Sequence, residues 1–597
     1  MKRGSICHLL HAPRRAATFP FLLIIASSLS AQDAPTELSK VTIQGVVLNN
    51  LTREPVAHAL VSSPDNRLAT LTDDQGRFEF SFPALSPDPA STSTDLQSAN
   101  SLALQLSSAL AFTSILTARK PGFLDPQRHP QLPPVDLAAH ELTLTLVPEA
   151  LIVGRVVLPN SNTADRIQLE LYRRNVSQGQ AQWAPAGSVT SRSTGEFRFA
   201  DLEAGTYKLF TRELMDRDPL TFDPRGPFYG YPPAYFPNAT DFESAATIQL
   251  TAGATFQAEL TPERQAYYSV KVPVTNASSD TQLMVNVFVH GRKGPGFELG
   301  YNNRDQKIEG SLPNGTYVIS ATSVGPTYAQ GQSTLTVKSS DSVGSPLTLA
   351  PLATVRINAQ QDFKPDPNSD ATQDNPTPPT DKAAPWRRST LNVRLERAEE
   401  IPPSNDFAQL RPPSSPTDDS LIFDNVAPGR YWVRVESARG FASSISAGDL
   451  DLLRHPLNIG PGANLTIDLT VRDDGAEIHG SIEGLSGPTE ADNSPQNSLV
   501  NNFILRTAGR PPAYVYLIPL LDSAGQFREI PVSSEGKFDV QQVPPGTYQV
   551  LAFDRAQPEF EYRNPEALRA YDTKGQVIRL SAGQKETLSL PLIPTNN

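Results

Sequence analysis

One short pattern recurs four times and constrains the rest of the chain: LEAGTYKLF from Leu202, LPNGTYVIS from Leu312, VAPGRYWVR from Val426 and VPPGTYQVL from Val543. Its glycines, Gly205, Gly315, Gly429 and Gly546, are separated by 110, 114 and 117 residues. Spacing this regular marks tandem copies of one structural unit. Glycine supplies the backbone conformation that a tight turn needs, and Pro428 or Pro545 fixes φ just before it. Beyond the turn, Tyr207 and Leu209, Tyr317 and Ile319, Tyr431 and Val433, and Tyr548 and Val550 alternate at period two, as the buried face of a strand does. The tyrosine is therefore expected in each core, because an aromatic at one inward position of every repeat is what packing requires.

A second strand precedes the glycine, STGEFRFADL from Ser193 and SSEGKFDVQQV from Ser533. Gly195 and Gly536 each stand ten residues before the turn glycine, and the two strands read as a hairpin. A closing strand follows in IQLTAGATFQAEL from Ile248, LNIGPGANLTIDLTV from Leu457 and VIRLSAGQKETLSLPL from Val577. The predicted fold is all-β: a tandem array of about five prealbumin-like or Ig-like Greek-key β-sandwich domains, at 38–148, 149–263, 264–350, 351–473 and 474–597. Such units are expected to share little interface and to melt separately. Helix is expected only near 94–110 and 564–569. The polar, proline-rich stretches 360–388, 401–419 and 485–502 read as disordered loops within or between sandwiches.

The first copy, VTIQGVVLNNLTREPVAHALV from Val41 running into LTDDQGRFEF from Leu71 and ending in SILTARKPGF at Phe123, carries a fuller pattern. Through Gly45, Pro55, Ala59, Val61, Thr72, Asp73, Gly76, Phe78, Gly122 and Phe123 it resembles the carboxypeptidase regulatory-like domain. That resemblance implies a prealbumin-like β-sandwich used as an accessory module in bacterial envelope proteins. The Pro-Gly-x-Tyr turn of that family is missing here, displaced by a Ser/Ala/Leu-rich insertion at 86–109.

The start of the chain sets the compartment. Lys2, Arg3, Arg14 and Arg15 precede an apolar run from Phe19 to Ala26, then small residues up to Ala31, the layout of a secretory signal peptide over 1–31. The run is shorter than a spanning helix needs, and no later stretch is long enough. Cleavage would take the net charge from −12 to −16, which argues against a nucleic-acid partner. Cys7 is the only cysteine and lies before the apolar run, so a mature chain would hold no disulfide and no lipid anchor. The expected location is extracytoplasmic: periplasmic, cell-surface or secreted.

Motifs for chemistry are sparse. None of the eight histidines has Glu three residues on, and a nucleophile elbow and a phosphate loop are missing. No catalytic residue, metal ligand or cofactor is assigned. Asp73 and Asp74, and Asp473 and Asp474, lack the alternating oxygens of a calcium loop and read as turn formers. The candidate binding residues are Arg225, Phe228, Tyr229, Tyr231, Tyr235 and Phe236, in the proline-stiffened stretch FDPRGPFYGYPPAYF. Rings held there either stack on a sugar or an extended peptide, or fold back over one end of a sandwich. The expected function is a non-catalytic binding or scaffold protein with polysaccharide, cell-wall glycan or envelope protein as partner. The alternative is an extracytoplasmic hydrolase of glycans or peptides with its site built from scattered carboxylates.

Overall fold

The computed structural model describes residues 40–63, 69–83, 116–129, 142–159, 166–216, 228–277, 282–292, 294–324, 328–364, 390–401, 408–485, 511–520 and 522–595. The signal segment, the expected helix near 94–110, Arg225 and most of the stretches 360–388 and 485–502 lie outside them. The regular structure of the described chain is almost entirely strand, arranged as five β-sandwiches in tandem. Each has its own apolar core.

The sandwiches share one plan. In the second, Ala150–Val156 lies between Glu196–Leu202, antiparallel, and Thr255–Leu260, parallel. The same arrangement places Lys40–Asn49 between Arg77–Pro83 and Leu142–Leu146, Ala353–Asp362 between Leu421–Val426 and Asn464–Arg472, and Ala476–Ile482 between Lys537–Val543 and Lys585–Leu590. The third departs slightly: Gln265–Thr275 pairs with Lys307–Pro313 and, in parallel, with the short strands Ser342–Val343 and Leu347–Thr348. In three of the five, a glycine on the opening strand faces a phenylalanine that lies across it: Gly45 with Phe78, Gly154 with Phe197 and Gly480 with Phe538. A methyl at Gly45 or Gly480 would fall 2.4 or 2.3 Å from the ring, so the aromatic supplies the packing the glycine lacks.

The strands on either side of the repeated glycine do not form the expected hairpin. Glu196–Leu202 pairs with the opening strand, whereas Gly205–Thr211 pairs with Gln168–Ser177 in the opposite sheet. Lys537–Val543 and Gly546–Phe553 divide in the same way. The glycine turn therefore carries the chain across the core from one sheet to the other. Four residues before the glycine, Asp201, Asn425 and Gln542 adopt left-handed φ of 59°, 56° and 54°. The ladder register shifts there, and this bulge releases the chain from its first partner. The tyrosine then pins the crossing. Its hydroxyl donates to the carbonyl four residues upstream, Tyr207 to Glu203 at 2.8 Å, Tyr317 to Pro313 at 2.9 Å, Tyr431 to Ala427 at 2.7 Å and Tyr548 to Pro544 at 2.7 Å. All four rings are buried, and burial pushes the Tyr207 and Tyr548 hydroxyls up to about 12.

Two of the expected loops carry strand. Gln360, Gln361 and Asp362 complete the opening strand of the fourth sandwich, and Gln409–Leu410 pairs with Leu421–Val426. A single turn of helix, Pro565–Arg569, starts at Asn564, whose side chain accepts from the Glu566 amide at 3.1 Å. The Asp73 side chain accepts from the amides of Gln75 and Arg77 at 2.9 and 2.7 Å, as a turn former does.

Because the Tyr548 hydroxyl is buried and bonded, Tyr548→Phe should destabilise the chain by about 1 kcal/mol. Tyr548→Ala should cost about 3–5 kcal/mol. Denaturant unfolding of the full chain measures both, and equal losses would show that the corner bond carries everything and the ring nothing.

Candidate functional site

The aromatic segment joins the second and third sandwiches. Phe228–Tyr231 adds to the third sandwich as a strand, pairing Phe228, Tyr229 and Gly230 with Tyr267, Ala266 and Gln265. The rings then part company. Tyr231 is buried in the core of the second sandwich. Tyr235 is 2% exposed, stacks on Phe210 with centroids 5.3 Å apart, and donates its hydroxyl to the Pro295 carbonyl at 2.6 Å. Phe236 packs edge-on against Phe256. The Arg264 guanidinium covers Tyr229 at 3.9 Å while also bonding Asp216 at 2.8 Å. Phe228 alone of these rings is exposed, at 54%. Tyr231 and Tyr235 thus offer no face to a ligand, and the five rings do not form one platform. Proline-stiffened or not, so apolar a segment gains more by being buried between two sandwiches than by standing in water.

The same joint holds an unusual carboxyl. Glu213 accepts from the Tyr267 hydroxyl at 3.4 Å, and burial, reinforced by Glu298 and opposed by that hydrogen bond, pushes its pKa up to about 7. Beside it, Arg212 bonds Glu170 at 2.6 Å and also pairs with Glu298 of the third sandwich. The folded chain therefore holds a proton on Glu213 that the unfolded chain releases near 4.5. The stability this contributes is complete below that value and is lost as pH rises through about 7.

A second junction, which the repeat pattern did not disclose, gathers three sandwiches. The strands Gln168–Ser177 and Gln180–Thr190 form a long hairpin whose two-residue turn, Gln178 and Gly179, has φ of 51° and 73°. Its tip reaches both the fourth and the fifth sandwich. Toward the fourth, Gln180 Nε2 donates to the Ala398 carbonyl at 2.8 Å and Gln182 Nε2 to the Arg397 carbonyl at 3.0 Å. The Trp183 amide and indole both donate to Glu400, at 2.7 and 3.1 Å. Toward the fifth, Arg174 pairs with Glu561 at 2.6 Å, Arg173 with Glu559 at 3.2 Å, and the Gly179 carbonyl accepts from the Arg563 amide at 3.1 Å. Arg563 in turn lies over the Trp432 ring at 4.0 Å, and Trp432 Nε1 donates to Gln180 at 3.1 Å, closing the ring of contacts. Burial raises the pKa of Glu396 here, with Arg434, Arg563 and Arg394 opposing it.

These contacts overturn the expectation that the sandwiches share little interface. A Gln-Gly turn between two alternating strands was a readable hairpin signal, but its partners lie more than 200 residues away and leave no trace in local pattern. The first sandwich joins the network through His129, whose Nδ1 lies 2.6 Å from Glu203, and Glu203 also binds Arg173. The carboxylates nearest this histidine are thus engaged in holding sandwiches together. Among the described residues no group of His, Cys, Asp and Glu is placed to hold a metal ion, and no helix is long and apolar enough to cross a membrane.

No protein-family model matches the chain, and no curated protein sequence matches it. Among solved structures it is similar to the Bacillus anthracis TIE protein at 10% identity, over 92% of this chain and 99% of that one, with a TM-score of 0.14. It is also similar to a streptococcal ancillary pilin at 11% identity, over 51% and 99% of the two chains, TM-score 0.17. BcpA, the major pilin subunit of Bacillus cereus, aligns at 9% identity over 54% and 99%, TM-score 0.11. Superpositions this loose carry no argument for shared function.

Two measurements test the joints. Between about pH 5 and 8 the native chain should lose thermal stability that Glu213→Gln keeps, and parallel pH profiles for the two would contradict the buried-proton account. A methyl at Gly179 would fall 2.5 Å from the Tyr562 ring at a left-handed φ. Gly179→Ala should therefore loosen the three-way junction and raise the radius of gyration in small-angle scattering. An unchanged scattering curve would show that the tip is not tightly seated.

Proposed function

We propose that the chain is a non-catalytic, extracytoplasmic scaffold or binding protein, whose sandwiches are held in a defined arrangement so that their outer faces are presented together. The observation that carries this reading is the three-sandwich junction. Its tryptophans, arginines and glutamates, the residues most suited to binding or catalysis elsewhere, are committed to contacts between sandwiches. The first unit's resemblance to the carboxypeptidase regulatory-like domain supports the same reading, since that module is an accessory and not the peptidase. The charged start and apolar run of 1–31 support export. Polysaccharide, cell-wall glycan or an envelope protein is the partner class.

Expression of the full chain with a C-terminal tag, cell fractionation and N-terminal mass analysis test the proposal. The expected product begins shortly after Ala31, is recovered outside the cytoplasm, and releases neither sugars nor peptides from envelope material. Cytoplasmic retention with an intact N-terminus, or hydrolysis by the purified chain, would refute it.

A further inference from the structure

Ten sheets make up the described chain, and one is chemically unlike the others. The sheet of the third sandwich formed by Gln282–Val289, Gly315–Val324, Ala329–Val337 and Ala350–Pro351 contains no Asp, Glu, Lys, Arg or His in any strand. Every other sheet carries at least one such residue. Its inward face packs the core through Val287, Tyr317, Ile319, Ala321 and Leu335. Its outward face runs in rows across the strands: Asn286 opposite Ser320 opposite Gln332, and Phe288 opposite Val318 opposite Thr334. Asn286, Gln332 and Thr334 are exposed, Phe288 and Val318 are half-buried, and Ser320 is buried and accepts from the Gln330 side-chain amide at 3.2 Å.

We infer that this face is a docking surface for an extended, uncharged polysaccharide, an inference that rests on the binding-scaffold reading above and names its ligand class. Amide and hydroxyl side chains both donate and accept hydrogen bonds, as sugar hydroxyls do. An uncharged face can be covered by a neutral polymer without stripping water from an ion, which is the costly step in docking. The half-buried Phe288 and Val318 leave an apolar edge between the exposed polar side chains for the C–H faces of sugar rings. An acidic glycan fits worse, because the chain carries a net charge of −12 and this face offers no cation to offset the repulsion. A row of side chains along an open sheet face suits a polymer that lies across it better than a small molecule, which binds in concave sites.

Co-sedimentation of the full chain with insoluble cellulose, chitin, β-1,3-glucan and starch tests this, with pectin as the acidic comparison. At least one neutral polymer should retain the chain, equally at about 0.05 and about 0.5 M salt. Thr334→Glu and Gln332→Lys place charges of opposite sign on the face, and each should weaken retention by about tenfold or more, the cost of burying an unpaired charge. Thr587→Glu, on an exposed position of the fifth sandwich, should leave retention unchanged. Thermal melts identify any variant that fails to fold, and the opposite-sign pair keeps the test open if one of them does.

Retention that survives both charged variants, or retention by pectin alone, would overturn the assignment. So would concentration-dependent self-association in sedimentation velocity that both variants abolish, because the face would then belong to a second copy of the chain. If no neutral polymer binds while the chain is still exported and non-hydrolytic, the ligand class falls and the scaffold reading stands.

Discussion

Four of the five sandwiches are built around one hydrogen bond: a buried tyrosine hydroxyl donating to the carbonyl four residues before it. A chain that leaves one sheet and enters the opposite one must cross the core with its backbone polar groups momentarily unpaired, and such groups are costly to bury. The tyrosine satisfies one of them and fills the space with its ring. In three of the four a left-handed residue upstream ends one ladder and the glycine begins the next, so three local features cooperate in one crossing. Ring and hydroxyl together fix where the chain enters the second sheet.

On that base the sandwiches are joined by means that differ from place to place. Between the second and third, a strand is lent across the boundary and aromatic rings fill the gap. Among the second, fourth and fifth, a hairpin tip is gripped by hydrogen bonds, ion pairs and a guanidinium over an indole. The ion pairs are partly exposed and individually contribute little. The tryptophans and the backbone bonds, which water cannot easily replace, carry most of the adhesion. Unfolding one sandwich therefore removes part of its neighbours' surroundings, and independent melting of five beads is not the expected behaviour of this chain.

Much of the fold was legible in the sequence because period-two alternation reports burial directly. Tyr207, Tyr317, Tyr431 and Tyr548 are in the core for the reason their spacing gave. The hairpin reading failed because alternation says which side chains point inward and nothing about which strand lies alongside. Phe197 and Tyr207 both face the core, from opposite walls. The aromatic segment illustrates a related limit: Tyr231 and Tyr235 are as apolar in a joint as on a platform, and only the third sandwich's free edge decides between them. Arg174 and Glu561 are separated by 387 residues, and no local pattern brings them together.

The parallel pairing of first and last strands has a mechanical consequence. In four of the sandwiches the chain enters along one strand and leaves along its parallel neighbour, so a pull on the two ends slides those strands past each other. Their hydrogen bonds lie across the direction of pull and share the load, instead of parting one at a time as the bonds of a peeled hairpin do. Ladders such as the nine-residue pairing within Ala353–Asp362 and Asn464–Arg472 would act as shear clamps, resisting extension until many bonds break together.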